Sequence, residues 1–160
     1  ERDRRSGTHN VGGIVAMAEA LRITDAQRAM QLPRIAALRD QLVDRLVAEV
    51  PGVHETVGRA HKVAGSAHLC IEGIENEALL FLLDQAGVCA SAASACAAGA
   101  MEPSHVLHAM GVPRSLAQGS VRLTLGPTST QDDIDHGAAV LVAAVHQLRR
   151  TSPASAARPT

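Results

Sequence analysis

The run from Val11 to Val50 constrains this chain more than any other stretch. Ile14, Met17, Ala18, Leu21 and Ile23 recur at near-helical spacing, and the pattern continues to Met30 and Leu32. Beyond Pro33, the residues Ile35, Leu38, Leu42, Leu46, Val47 and Val50 repeat it, with Arg34, Arg39, Asp40, Asp44, Arg45 and Glu49 on the other face. Proline lacks the amide donor a helix interior needs, so a kink or a restart is expected at Pro33. Pro51-Gly52 ends the run. A long kinked helical element is thus committed before any strand appears. What remains must build a sheet small enough to pack on it.

The packing material is unusual. Phe81 is the only aromatic residue among 160, with no Trp and no Tyr, so the core must be built from Ala, Val, Leu and Ile. Apolar residues at 46% and charged residues at 19% describe a globular chain. Without aromatic rings there is no platform on which bases could stack, and a net charge of −1 gives no electrostatic pull toward polyanions. Nucleic-acid binding is therefore not expected. No run approaches the roughly 18 apolar residues that suggest a membrane span, and no signal-peptide pattern opens the chain. Cys70, Cys89 and Cys96 form neither a CxxC pair nor an even disulfide set, which fits a reducing, cytoplasmic setting.

Short strand patterns follow the helix. Val53–Val57 is one candidate, Ala67–Ile71 a second and Val88–Ala90 a third; Cys70 and Cys89 both read as small core residues. Between the first two, Gly58–Ser66 is a polar loop in which Lys62, the only lysine, reads as a solvated charge. Glu75–Ala86 is helical with apolar Ala78, Leu79, Leu82 and Leu83, stopped by Gly87. Another helix opens at Glu102-Pro103-Ser104-His105, presents Val106, Leu107 and Met110, and closes at Gly111. Its His105 and His108 stand three apart but have no third ligand nearby, so no metal site is expected. Pro113–Gln118 forms a further short helical turn. In Ser120–Leu125, Val121, Leu123 and Leu125 face one way and Arg122 and Thr124 the other. Arg122 reads either as a carboxylate clamp or as a solvent-facing arginine on a half-buried sheet. Thr130-Gln131-Asp132-Asp133 resembles a capping box with Asp in place of Glu, ahead of a last helix ending in Arg149-Arg150. Thr151–Thr160 reads as a disordered tail. The sum is an α+β layer: a small, mainly antiparallel sheet covered by helices.

Two stretches carry chemical potential. Arg5, Ser6 and Thr8 sit in a polar, glycine-containing segment that could hold an oxyanion or could simply open a helix. From Ala90 to Pro103 the chain is almost entirely small residues around Cys96. A loop of this kind would let a thiol travel; an alanine-rich helical turn is the competing reading.

The segment Ser91–Leu107, ending Met101-Glu102-Pro103-Ser104-His105-Val106-Leu107, resembles the catalytic-cysteine loop of the cysteine desulfurases, class V members of the PLP-dependent aminotransferase superfamily. Arg5-Ser6-Gly7-Thr8, Glu72-Gly73 with Glu77-Ala78-Leu79-Leu80, and Ser120–Gly126 agree with the family in order and spacing. The resemblance covers roughly residues 1–150. It implies the C-terminal small domain of the PLP-dependent transferase (aminotransferase type I) fold. Residues 1–28 would be the end of the large PLP-binding domain and the connecting helix, and 29–150 the small domain. Cys96 would be the catalytic thiol that takes sulfur from L-cysteine, giving L-alanine and a persulfide. Arg122 would bind the substrate carboxylate, and Thr8 the phosphate of the neighbouring subunit's pyridoxal 5'-phosphate in a homodimer. The sulfur would pass to an acceptor protein serving iron–sulfur cluster assembly or tRNA thiolation. Two alternatives are a persulfide relay or acceptor-binding module without catalysis, and a selenocysteine lyase-like enzyme. Ala93 and Ala97-Ala98 depart from the family's Gly and Thr-Ser. The family's Schiff-base lysine lies upstream of the Arg-Ser-Gly-Thr segment, and Lys62 does not match it. The chain therefore reads as a C-terminal part of such an enzyme, and it is expected to be inactive alone.

Overall fold

A computed structural model describes residues 7–92 and 104–151. Its elements run α1 (Val11–Glu49), β1 (Val53–Glu55), a 3-10 turn (Arg59–His61), β2 (Ser66–Ile71), α2 (Asn76–Gln85), α3 (His105–Ala109), α4 (Arg114–Ala117), β3 (Ser120–Thr124) and α5 (Gln131–Thr151). The three strands form one antiparallel sheet in the order β1-β2-β3. The architecture is the α+β layer the sequence predicts. No helix among the described residues is long and apolar enough to cross a membrane.

One face of the sheet carries the core. Val53, Ala67, Leu69, Ile71, Val121 and Leu123 point from it into a cluster with Leu42, Leu46, Leu79, Leu83, Leu141 and Val145. The period of two in the strands meets the helical stripes of α1, α2 and α5. Leu46, Leu69, Leu79, Leu83 and Leu141 are fully enclosed, each contributing about 1.5–3 kcal/mol by burial. The opposite face is covered in part by α3 and α4, through Leu107 and Ala117 against Cys70. Two glycines bracket the β2–β3 ladder. A Cβ at Gly119 would collide with the Ile71 carbonyl, and one at Gly65 with the Leu125 carbonyl. Only hydrogen fits where these backbones cross.

Helix α1 runs unbroken through Pro33. Ala29 and Pro33 are both exposed, so the carbonyl deprived of its donor can be hydrated, and the expected restart does not occur. The burial of α1 also differs from its sequence pattern. Residues 11–30 are all exposed, Ile14, Met17 and Leu21 included, and the buried stripe begins at Ile35. The apolar spacing of that first half therefore does not report a core within these residues.

Val88–Ala90 is not a strand; the chain rejoins the sheet only at Ser91, by a single bridge to Arg122. Cys89 is exposed rather than core, because with no strand there its side chain has no sheet face to join. Lys62 is not solvated: its side chain is 8% exposed and its ammonium pairs with Glu55. On α3 only Leu107 is buried, while Val106 and Met110 are exposed. The final helix includes Thr151, and residues 152–160 lie outside the described ones.

Candidate functional site

The sheet's open face carries a row of polar residues that the strand register assembles. Thr56, one step past β1, donates its backbone N–H to the His68 carbonyl at 3.1 Å. His68 on β2 stands directly opposite Arg122 on β3. Arg122 in turn exchanges both backbone hydrogen bonds with Ser91, at 2.8 and 3.1 Å. Directly opposed residues of antiparallel strands share a face. Thr56, His68, Arg122 and Ser91 therefore lie in one line across the sheet, opposite the core.

The Ile71–Gly119 and Leu125–Gly65 backbone bonds set the alternation of the β2–β3 ladder. By that alternation His68 and Arg122 form a non-hydrogen-bonded pair, the kind in which side chains approach closest. The Thr56 hydroxyl lies 2.7 Å from His68 Nδ1 and 3.6 Å from Cys70 Sγ. Burial, and next the positive charges of Arg122 and Lys62, push the His68 imidazole below its ordinary range. At neutral pH the ring is uncharged. Burial pushes the Cys70 thiol up, with the Thr56 hydrogen bond opposing more weakly, so Cys70 is a poor source of thiolate.

Arg122 is half-buried, and among the described residues its guanidinium makes no hydrogen bond or ion pair. The other described arginines that are buried or half-buried behave differently. Arg39 bonds Asp40 at 2.7 Å, Arg45 bonds Glu49 at 2.8 Å, and Arg149 bonds the Pro51 and Glu72 carbonyls at 2.8 and 2.7 Å. A guanidinium partly withdrawn from water without an acceptor is poised for a planar anion such as a carboxylate.

The remaining predicted residues are not gathered here. Thr8 is exposed ahead of α1, whose first turn is capped by Asn10 accepting from the Gly13 amide at 2.9 Å. It precedes Val11, which stands about 36 Å along the helix from Ile35 at 1.5 Å per residue, so Thr8 lies far from the sheet of its own chain. Cys96, with Arg5, Ser6 and Pro103, lies outside the described residues. His105 and His108 are exposed, and no group of three metal-ligating side chains occurs among the described residues. Pyridoxal phosphate held as a Schiff base needs a free lysine amine. Lys62 is the only lysine and is committed to Glu55, so these residues do not furnish the anchor.

Sequence reading passed over His68, Thr56 and Ser91. His68 stood only as one residue of a strand pattern, since alternation marks a face but not which residues of other strands share it.

Comparison with known proteins adds the family context. A family model described as Aminotransferase class-V matches residues 1–136. An IscS-like cysteine desulfurase of Mycobacterium tuberculosis is 44% identical over 157 residues, spanning 98% of this chain and 40% of that protein. A cysteine desulfurase of Klebsiella pneumoniae is 41% identical over 156 residues, spanning 96% of this chain and 38% of that protein. A solved NifS-like protein superposes with a TM-score of 0.78 at 28% identity, over 90% of this chain and 36% of the other. The chain thus spans 38% to 40% of the length of these curated relatives. With the family model matching residues 1–136 and relatives at 41% and 44% identity spanning nearly the whole chain, the chain belongs to the class-V aminotransferase family.

Proposed function

We propose that this chain supplies the substrate clamp and the sulfur-accepting thiol of a PLP-dependent cysteine desulfurase. The observation that carries the reading is the half-buried Arg122 guanidinium with no acceptor among the described residues. Arg122 holds the carboxylate of L-cysteine by two parallel N–H···O bonds. The Cys96 thiolate attacks the sulfur of the bound substrate. The new S–S bond forms as the substrate C–S bond breaks, the electron pair stays on carbon, and protonation there yields L-alanine beside a Cys96 persulfide. The cofactor supplies an electron sink for that pair when bound. The lysine that would anchor it is not among these residues.

The family reading divides the chain into residues 1–28, the end of a large domain with its connecting helix, and residues 29–150, a small domain. Support comes from α1, where 11–30 are exposed and burial starts at Ile35. Thr8 then binds the cofactor phosphate of a neighbouring subunit in a homodimer. The persulfide passes to an acceptor protein of iron–sulfur cluster assembly or tRNA thiolation, in a reducing cytoplasm that keeps the thiol free.

The test is alanine release from L-cysteine by the PLP-loaded enzyme containing this chain. Cys96→Ser is expected to abolish both alanine and persulfide, and Arg122→Gln to raise KM about tenfold or more. Alanine formation by Cys96→Ser at the parent rate would overturn the reading and leave a persulfide relay as its replacement.

A further inference from the structure

The row on the open face assigns a task to a residue the reaction does not obviously need. We propose that His68, held by Thr56, is the positioning residue for Arg122, fixing where the guanidinium stands when it meets the substrate carboxylate. The proposal rests on the reading of Arg122 as the clamp.

Three observations carry it. Register puts His68 and Arg122 in direct opposition, in the close, non-hydrogen-bonded class of pair. The imidazole is itself fixed, by the 2.7 Å contact between Nδ1 and the Thr56 hydroxyl. Thr56 is fixed in turn by donating its backbone N–H to the His68 carbonyl. On its other flank Arg122 is bound to Ser91 through the backbone alone. A long arginine side chain otherwise loses rotamer freedom when it grips a ligand, which weakens binding. A rigid, uncharged ring beside it limits that freedom beforehand without repelling the cation. With Nδ1 donating to Thr56, Nε2 offers a lone pair that a guanidinium N–H can meet; with Nδ1 accepting, Nε2 is itself a donor and the ring confines the cation by packing alone.

The experiment is a mutant cycle in the PLP-loaded enzyme that contains this chain, reading KM and kcat for L-cysteine separately. His68→Leu is expected to raise KM about tenfold while kcat stays within about twofold. His68→Asn, which keeps a polar atom near the Nδ1 position, is expected to recover most of that loss. In an Arg122→Lys background, His68→Leu is expected to add less than about twofold, since a residue acting through Arg122 has little left to position. Thr56→Val changes no residue of β2 or β3 and keeps the Thr56 backbone bond to His68, which guards against a His68 variant that does not fold; it is expected to raise KM about threefold. An unchanged KM in Thr56→Val and His68→Leu, or effects of His68→Leu and Arg122→Lys that multiply, would overturn the proposal alone. An unchanged KM in Arg122→Lys would overturn the clamp reading and the proposal with it.

Discussion

Cys70 and Cys89 differ in reactivity because their surroundings differ. Cys70 is 2% exposed, packed on Leu107 and Ala117, with its thiol held in the protonated form. Cys89 is exposed. Iodoacetamide is expected to modify Cys89 in the native protein and Cys70 only with denaturant, as read by peptide mass spectrometry. Equal native labelling of both would contradict the packing. His68 yields a pH prediction. Its folded-state pKa lies below the unfolded 6.5, lowered by burial and by Arg122 and Lys62, while the Thr56 hydroxyl contacts it without charge. The unfolded chain therefore takes up protons first as pH falls. Stability is full above about 6.5 and declines below it, through the depressed pKa. His68→Asn is expected to flatten that part of a urea-midpoint profile. Cys96 lies outside the described residues, while the placement of Arg122 on the sheet face opposite Val121 and Leu123 was legible from strand alternation. The burial of Lys62 and the exposure of Cys89 were not, because each depends on a partner or a strand elsewhere in the chain.

Elements were legible wherever the signal was local. The Thr130 amide and hydroxyl both donate to Asp133 Oδ2 at 2.8 Å, and the Asp133 amide donates back to Thr130 Oγ1 at 3.2 Å. That is the reciprocal box read from four consecutive residues, and it holds the Asp133 carboxyl below its usual range. Thr130→Ala is expected to lower unfolding stability by about 1 kcal/mol, measured by chemical denaturation, with no change in KM. Positive φ at Gly87 and Gly111 likewise ends α2 and closes α3 where the sequence suggested. Failures came where an element answers to something distant. The apolar spacing of residues 11–30 is genuine helical periodicity, but periodicity says nothing about what covers a face. Val88–Ala90 has a strand's composition, yet pairing begins only at Ser91.

Across the whole molecule, stability is concentrated at one end of α1. From Ile35 onward the helix packs on α5 and the sheet; residues 11–30 have no buried side chain. Helical hydrogen bonds alone hold a segment weakly in water. Amide hydrogen exchange of this chain is expected to be fast through residues 11–30 and slowest in Leu42–Leu46, β2 and the inner part of β3. Uniform protection along α1 would show that its first half is covered by something other than these residues. The fold class was legible because strand alternation and helical stripes agreed with one another. The site was legible only in pieces, since sheet register is a property of pairs of strands. Gly65 and Gly119, at the two ends of the β2–β3 ladder, tie that register to both the core face and the polar row opposite it. A slip of one residue would turn Arg122 into the core and Leu123 toward water. A chain that paired its strands wrongly would therefore be unstable and, with Arg122 as the proposed clamp, would also lose its hold on substrate, so surveillance of the fold would screen for the proposed site as well.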